Sequence, residues 1–346
     1  MNDKVIEGNL LVSVIIPLYN LENYIERSVN SVLSQTYKNI QIILVDDAST
    51  DASQDICKKL SNDERIVYIR HDKNKGQTVT RNDGLKAASG DWIMFLDGDD
   101  TIEPCTIENF LKVVIEDDNI DIVFAGYKII KENTSIERLA NIEPGIYSKS
   151  KFVDYLFDEV TSDILTCIGS KLYRNELVKE RKDWTSDQIT TNYDMAFVVD
   201  ALLACKKVAY INEAVYDYIQ RDNSITYSYR ENMFCRINEA RKKIPLLLKE
   251  SECYTNKNIM FQKDQLRLVM TVLNQEVRFN KGYSQFRKRV DEVAESYQFK
   301  LIYDSFCKCQ RDKKRFCYVL SVKKRMYFAL YMLHKYLYKR QLREIN

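Results

Sequence analysis

Short apolar runs alternate with stretches of helical periodicity over the first 100 residues. Four runs rich in β-branched and other apolar residues predict strands at 11–17, 41–45, 66–69 and 92–96. Between these runs, apolar residues recur three or four positions apart, as Ile25, Val29 and Val32 do, which predicts helices. Strands that alternate with helices at this spacing form parallel sheets covered on both faces. The predicted fold class is therefore α/β, with a mostly parallel central sheet and helices on both of its faces.

The pattern changes after residue 228 and becomes helical. Apolar residues recur at helical spacing in one segment with Ile237 and Ile244, and in another with Leu266 and Leu273. We therefore predict an α/β domain at 1–228 and a helical C-terminal region at 229–346.

Polar clusters stand at the carboxyl ends of three predicted strands, at 17–20, 46–47 and 97–99. Ligands of parallel sheets bind beyond these strand ends. In extended backbone Asp97 and Asp99 point the same way, and Gly98 between them allows another group to approach the backbone closely. Two convergent carboxylates attract Mg²⁺ or Mn²⁺, which takes its remaining ligands from water and from substrate phosphates. The sequence therefore suggests a metal site and a diphosphate substrate, and an acidic turn or a helix cap is the alternative for so short a motif.

Two common phosphate-binding loops are absent from the sequence. A nicotinamide-dinucleotide fold needs a glycine-rich turn after its first strand, but residues 17–22 contain no glycine. The Walker lysine loop does not occur either. The charge of a diphosphate would therefore be neutralised by the metal and by basic side chains such as Lys75 or Arg81.

The net charge of +2 hides an asymmetry along the chain. Residues 307–346 contain 12 Lys and Arg against Asp312 and Glu344, a local charge of +10, while the other 306 residues carry −8. The nine cysteines form no regular framework and the N-terminus has no signal-like pattern, so we expect free thiols and a cytoplasmic protein. The apolar run at 326–333 is far shorter than the ~20 residues that cross a bilayer. We expect neither a membrane-spanning helix nor a nucleic-acid partner.

Five motifs occur in order over the first 100 residues: VIIPLYN at 14–20, LVDDASTD at 44–51, NKG at 74–76, RNDG at 81–84 and FLDGDD at 95–100. With these motifs the chain resembles glycosyltransferase family 2, of the bacterial polysaccharide type, whose fold is GT-A. The resemblance implies a transferase that takes a sugar from a nucleotide-diphosphate sugar, usually a uridine diphosphate sugar. Residues 1–100 would form its nucleotide-sugar-binding half and residues 101–228 its acceptor half. Thr80 departs slightly from the family, which more often has alanine there.

The resemblance also implies roles for individual residues. The base and ribose of the donor would be held by Pro17, Tyr19, Asp47 and Asp46. Asp97 would contact ribose or sugar, and Asp99, with Asp97, would coordinate Mn²⁺ or Mg²⁺. The full predicted nucleotide-sugar site comprises Pro17, Tyr19, Asn20, Glu22, Asp46, Asp47, Lys75, Arg81, Asp97 and Arg221.

Asp194 stands in the first turn of a predicted helix that opens at 191–197. One interpretation is that its charge only complements the helix dipole, which is worth ~0.5 kcal/mol. The family commonly has Glu-Asp here, with the aspartate as catalytic base, and in this chain Tyr193 replaces the glutamate. The resemblance therefore implies Asp194 as the base. Gly169 and Ser170 stand where the family often has tryptophan or asparagine, so the acceptor stays undefined.

Arg221 follows a predicted edge strand within 215–226. This segment resembles the aromatic strand and loop that close the donor site of the family. Arg221 would reach the diphosphate and replace a histidine ligand that some relatives have, and a solvated arginine is the alternative.

Together these residues predict an inverting transfer to a hydroxyl of a glycan or lipid-linked acceptor, in the biosynthesis of a cell-surface polysaccharide. A base deprotonates the hydroxyl while the cation stabilises the departing diphosphate. Two alternatives stay open. A sugar nucleotidyltransferase would usually need a glycine-rich, basic loop after the first strand, which is absent. A catalytically inactive transferase-like module would not need both Asp99 and Asp194.

The basic stretch at 316–343 has an apolar stripe at helical spacing, formed by Phe316, Val319, Leu320, Met326, Tyr327, Leu330, Leu333 and Leu337. Its border is basic, with Lys324, Arg325, Lys335, Lys339 and Arg340. One hypothesis places this helix in the headgroup region of an anionic leaflet, which would make the protein peripheral on the inner face of the plasma membrane. The other packs the stripe on the preceding helices. The sequence leaves both open.

Overall fold

The computed structural model describes residues 10–131, 134–155, 164, 167–179, 193–220, 229, 231, 233–251, 254–308 and 313–345. The described residues of 1–224 and 240–252 form one compact unit, and those of 225–239 and 253–346 form a second. The domain boundary after residue 228 stays a prediction.

The first unit contains a single sheet of ten described strands. They are β1 (Val12–Leu18), β2 (Ile40–Asp46), β3 (Ile66–Arg70), β4 (Trp92–Phe95), β5 (Thr101–Ile102), β6 (Ile120–Lys131), β7 (Thr134–Arg138), β8 (Gly145–Ser148), β9 (Lys171–Arg174) and β10 (Lys207–Ile219). The helices described between these strands are α1 (Ile25–Leu33), α2 (Ser53–Leu60), α3 (Gln77–Ala87), α4 (Thr106–Val114), α5 (Lys149–Val153), α6 (Asn175–Lys179) and α7 (Tyr193–Ala204).

The main path of the sheet runs β3-β2-β1-β4-β9-β6-β10-β5. The first four strands of this path are parallel to one another. β9 lies antiparallel between β4 and β6, and β10 is parallel to β6. The prediction of a mostly parallel α/β sheet is confirmed.

Both faces of the sheet are covered by helices because its central strands are apolar on both sides. Every residue of β1 is buried. Val14 and Ile16 pack in one core cluster with Val29 of α1. On the opposite face α3 approaches so closely that a Cβ on Gly84 would lie 2.4 Å from Cγ2 of Ile15. This contact sets α3, which carries Arg81, directly against the central strand.

The second unit is helical over its described residues. The helices from Met233 onward are α8 (Met233–Arg241), α9 (Ile244–Leu248), α10 (Tyr254–Arg278), α11 (Gly282–Glu295), α12 (Tyr297–Lys308), α13 (Lys313–Lys323) and α14 (Tyr327–Ile345). α9 belongs to the first unit, and α8 divides between the units after residue 239. The predicted helical region at the C-terminus is therefore present.

The core of the second unit combines apolar side chains with a buried ion pair. Val269, Val290 and Phe299 are among its fully buried residues. Nε of Arg289 donates to Oε1 of Glu276 over 2.9 Å, and both side chains are excluded from solvent. Since an unpaired charge in such a core would be costly, the pair holds α10 and α11 in a fixed register.

The apolar stripe predicted within 316–343 faces the core of the second unit in part. Val319 and Leu330 are buried, and Phe316 and Tyr327 are half-buried against the same cluster. Met326 and Leu333 remain exposed. Among the described helices, none combines the length and apolarity that crossing a membrane requires.

Candidate active site

The loops after β1 and β2 are tied together by two of the predicted site residues. Asn20 has a left-handed φ of 53°, and its Oδ1 accepts a 2.8 Å hydrogen bond from the backbone N–H of Thr50. Oε2 of Glu22 accepts from the N–H of Ala52, also over 2.8 Å. Both side chains therefore shape this edge of the sheet. Tyr19 beside them is exposed.

Asp47 organises the loop that precedes α3. Its two carboxylate oxygens accept 2.8 Å hydrogen bonds from the N–H groups of Lys75 and Gly76, and Nδ1 of His71 lies 2.8 Å from Oδ1. Gly76 has a φ of 86°, which only glycine adopts readily. The buried carboxylate thus fixes the backbone of the NKG motif, which explains why an acid is needed at the end of β2.

Asp46, the neighbour of Asp47, is also buried and bonded within the protein. Its carboxylate accepts from Oη of Tyr68 over 2.9 Å and from the N–H of Ser49 over 2.8 Å. Nε of Arg70 lies 3.3 Å from Oδ2. These contacts connect the ends of β2 and β3.

Lys75 lies at the rim with its side chain 40% exposed. Its Nζ is 4.0 Å from Oδ2 of Asp83, a loose ion pair at the outer limit of such contacts. Nε2 of His71 lies 3.1 Å from the same carboxylate. A partly exposed ammonium beside this loop can reach an anionic ligand with little rearrangement.

Arg81 links the two carboxylates that the sequence singled out as chemically important. Nη1 donates to Oδ1 of Asp194 over 2.5 Å, and Nη2 donates to Oδ1 of Asp97 over 2.7 Å. The Arg81 side chain is fully buried, whereas those of Asp97 and Asp194 are 31% and 36% exposed. Burial by itself lowers the pKa of Arg81, but attraction by Asp194 and then Asp97 outweighs it, and the net pKa is raised. The guanidinium therefore stays charged and brings both acids to one place.

Asp194 lies in the first turn of α7, beside the ring of Tyr193, whose centroid is 5.5 Å from Cζ of Arg81. Burial raises the pKa of Asp194, Arg81 lowers it, and the carboxylate of Asp97 raises it again. The net direction is upward. A carboxylate with a raised pKa is a stronger base than an ordinary aspartate.

Lys171 in β9 is a site residue that sequence reasoning missed. It is fully buried, and its Nζ donates to the carbonyl oxygen of Ile164 over 2.6 Å and to that of Cys167. Burial lowers its pKa to about 8, opposed by the nearby charges of Cys167 and Asp194. Lys171 directly follows Gly169 and Ser170 in the sequence, but nothing in the local pattern there marks the lysine as buried beside Asp194.

The turn after β4 presents three acids with different environments. The backbone oxygen of Asp99 accepts from Nη2 of Arg27 over 2.9 Å, and its side chain is partly exposed. Asp100 is buried and accepts from Oη of Tyr216 over 2.6 Å and from the N–H of Ile219 over 2.8 Å. Burial raises the pKa of Asp100, and the carboxylates of Asp99 and Asp97 raise it further. Asp100 therefore fastens the turn to β10, a role that the sequence did not reveal.

Gly98 lets this turn meet the loop after β1. A Cβ on Gly98 would lie 2.8 Å from Cδ1 of Leu21 and 3.1 Å from the carbonyl oxygen of Pro17. These separations are shorter than ordinary van der Waals contact, so a side chain here would displace the end of Leu21 and crowd the Pro17 carbonyl at the end of β1.

Asp99 and Asp97 fit the donor set of a hard divalent cation. Both offer carboxylate oxygens on partly exposed side chains, and Arg81 engages one oxygen of Asp97. Within the described part of the chain, no three His, Cys, Asp or Glu side chains are grouped to hold a metal. Mg²⁺ commonly binds through one or two protein carboxylates and completes its shell with water and substrate phosphates. The two acids suit a cation that arrives with, or is completed by, a phosphate ligand.

Arg221 lies outside the described residues, as does the rest of 221–228. Pro17 is buried within β1, one residue before the strand ends. The structure thus brings Asp97 and Asp194 together on Arg81, with Asp99 two residues beyond Asp97. It places Asp46 at the end of β2, and Asp47, Asn20 and Glu22 in the neighbouring loops.

The chain is similar to known glycosyltransferases in sequence and in fold. Residues 13–181 match the model of the family described as glycosyl transferase family 2. GlyA of Streptococcus pneumoniae is described as a glycosyltransferase and is 33% identical over 68% of this chain, which spans 34% of the length of GlyA. GlyG of the same organism, also described as a glycosyltransferase, is 30% identical over 62% of this chain and 72% of its own.

The solved structures include residues 1–349 of S. aureus TarS in complex with UDP-GlcNAc. It matches 96% of this chain and 92% of its own with a TM-score of 0.70 and 18% sequence identity. At this identity the likeness establishes the fold, and the predicted GT-A fold is confirmed. From the family model, the curated relatives and the shared fold, we conclude that the chain belongs to glycosyltransferase family 2.

Proposed function

We propose that the chain transfers a sugar from a nucleotide-diphosphate sugar, and specifically a UDP-sugar, to a hydroxyl group of a glycan or lipid-linked acceptor. The observation that carries this proposal is the convergence of Asp97 and Asp194 on the buried guanidinium of Arg81, beside Asp99. The TarS structure with UDP-GlcNAc supports a uridine nucleotide as donor.

Asp194 is the base of the proposed reaction. Its raised pKa and its partly exposed side chain suit it to accept the proton of an acceptor hydroxyl. The deprotonated oxygen then attacks the anomeric carbon from the side opposite the diphosphate, which inverts the configuration without a covalent intermediate. Arg81 holds Asp194 in place through the 2.5 Å contact.

Asp99, with Asp97, would hold Mn²⁺ or Mg²⁺, which supplies positive charge to the departing diphosphate when it is bound. Lys75 adds a basic group at the rim. The donor contacts of Pro17, Tyr19, Asn20, Glu22, Asp46, Asp47, Arg81, Asp97 and Arg221 stay predictions. The bonds of Asn20, Glu22, Asp46 and Asp47 within the protein support an additional role in shaping the loops that would face the donor.

We place the reaction in the cytoplasm, in the biosynthesis of a cell-surface polysaccharide. The support is the resemblance of the motifs to bacterial polysaccharide-type transferases. The hypothesis that the stripe within 316–343 lies on an anionic membrane stays a prediction, and the burial of Val319 and Leu330 favours the packing alternative for that stripe.

The test uses the purified full-length chain with a panel of UDP-sugars and Mn²⁺. Donor binding is measured by thermal shift, since a ligand at 100 times its dissociation constant stabilises a protein by ~2.7 kcal/mol. Release of UDP with a polysaccharide acceptor then measures turnover. Binding without any turnover would support the inactive module, and absence of binding to every UDP-sugar would contradict the proposed donor.

A further inference from the structure

The outward face of α14 carries large apolar side chains that the sequence did not single out. Phe328, Met332 and Tyr336 follow one another at intervals of four residues and are 68%, 49% and 63% exposed. Residues spaced by four lie on the same face of a helix. This face is distinct from the apolar stripe inferred from the sequence, of which Leu330 is buried.

The opposite face of α14 packs in the core of the second unit. Leu330 and His334 are buried there. Nε2 of His334 lies 2.8 Å from Oη of Tyr318, and Nδ1 contacts Oδ1 of Asn274. These contacts fix the rotation of the helix about its axis. The face with Phe328, Met332 and Tyr336 is therefore an additional apolar surface and not the packing side.

Basic side chains share this outward face. Lys335 and Lys339 are exposed on it, and Nζ of Lys335 lies 4.7 Å from the ring centroid of Tyr331. Residues 327–340 contain no aspartate or glutamate. Apolar and cationic side chains therefore lie side by side along most of the helix. No acid within 327–340 neutralises the cationic ones.

We propose that this face of α14, formed by Phe328, Met332, Tyr336, Lys335 and Lys339, docks on an anionic lipid surface. A helix that lies in the headgroup region buries apolar and aromatic side chains at the acyl boundary and sets lysines against lipid phosphates. The flexible lysine stems allow the ammonium groups to reach that level. The 19-residue helix, about 28 Å long, would lie along the surface.

Charge decides between a lipid surface and a second copy of the chain. A two-fold symmetric contact brings the same patch from both copies together. The lysines at 335 and 339 of both copies would then be gathered in one interface, and crowded like charges oppose association. The headgroups of an anionic lipid surface instead attract the lysines, and its acyl chains take up the apolar residues between them.

Co-sedimentation of the full-length chain with phosphatidylglycerol vesicles at low salt tests this surface, with phosphatidylcholine vesicles as comparison. Two separate variants remove its two components, Phe328→Ser with Met332→Ser, and Lys335→Glu with Lys339→Glu. The matched control is Tyr297→Ser with Lys300→Glu on α12, where Tyr297 is 69% exposed. We expect binding to phosphatidylglycerol only, a fall of at least about tenfold in the partition coefficient of each variant, and no change in the control.

Circular dichroism shows whether each variant remains folded, and if one unfolds the other still carries the test. Failure of the wild type to bind phosphatidylglycerol, equal binding to both lipids, or variants that bind like the wild type would each overturn the proposal. A dimer that both variants abolish, with no vesicle binding, would assign the face to a second copy instead. Vesicle binding requires no donor or acceptor, so its result is independent of sugar transfer.

Discussion

The acids at the edge of the sheet fall into two groups with different surroundings. Asp46 and Asp47, at the end of β2, are buried and accept several hydrogen bonds from backbone and side-chain groups of their own and neighbouring segments. Asp97 and Asp194, around Arg81, keep about a third of their side-chain surface exposed. A carboxylate that already accepts several hydrogen bonds within the protein mainly stabilises the structure. A carboxylate that stays partly exposed can accept a proton or bind a metal ion. Residue type alone does not distinguish the two groups.

The largest effect is expected from Asp99→Asn, which replaces one of the two proposed metal-binding carboxylates. Metal-dependent donor binding and turnover should both be lost, because an amide oxygen is a weaker ligand for Mn²⁺ than a carboxylate. Titration of Mn²⁺ in the thermal-shift assay measures the effect. Asp55→Asn, an exposed acid in α2, is the control. Donor binding with Mn²⁺ at wild-type affinity would exclude Asp99 as the ligand.

Asp194→Asn should retain donor affinity and lose at least ~10² in kcat, the usual contribution of a positioned base. Kinetics of UDP release, with donor binding measured separately, provide the check. Asp118→Asn is a matched control because that side chain is exposed and away from Arg81. Near-normal turnover of Asp194→Asn would place the base elsewhere.

Arg81→Lys should reduce kcat by about tenfold or more while the chain remains folded, because small misplacements of reacting groups are costly. A lysine keeps the charge but cannot donate to Asp97 and Asp194 with the planar fork of arginine. The same kinetic assay applies, with circular dichroism to monitor folding. An unchanged kcat would show that the shared guanidinium does not position either acid.

The rate should depend on pH through Asp194. Because its pKa is raised, the active carboxylate form should be lost as pH falls through a value above that of an ordinary aspartate. Below that value kcat should decrease about tenfold per pH unit. A profile of kcat against pH tests this, with circular dichroism at each pH. A profile that stays flat down to pH values typical of unperturbed aspartate would contradict the raised pKa.

The smallest of these effects is expected on stability, from the buried acids at the end of β2. Asp47→Asn should lower the free energy of unfolding by about 1–3 kcal/mol, since one of the two N–H donors at 75 and 76 loses its acceptor. Urea denaturation compares it with Asp72→Asn, an exposed acid in the same loop. If the two variants were equally stable, the bonds of Asp47 would not hold this loop.

Much of the α/β fold could be predicted because local pattern and burial agree there. The apolar run at 41–45 became β2 (Ile40–Asp46), whose side chains are nearly all buried on both faces. Periodicity could not tell which of two apolar faces of α14 would pack. His334 and its partner Tyr318 decide this, and their contact depends on the arrangement of helices in the second unit.

The sequence indicates which acids belong to the candidate site, but it does not indicate the contacts that join them. The motifs pointed to Asp97, Asp99 and Asp194, but the bridge through Arg81 joins residues 113 positions apart. Asp100 likewise owes its role to Tyr216 of β10, which lies 116 positions further along the sequence. Such long-range polar contacts leave no periodic signal, so only the folded arrangement reveals them.

Gly98 has a consequence for how sequence can vary at this edge. Because the space for its Cβ is taken by the end of the Leu21 side chain and by the carbonyl of Pro17, the turn with Asp97 and Asp99 packs tightly against the end of β1 and the loop that follows. A saturation library at position 98 should be enriched in glycine among its active clones. A variant with alanine at 98 should regain activity only when the side chain at 21 is shortened at the same time. Substitutions at the two positions should therefore be coupled.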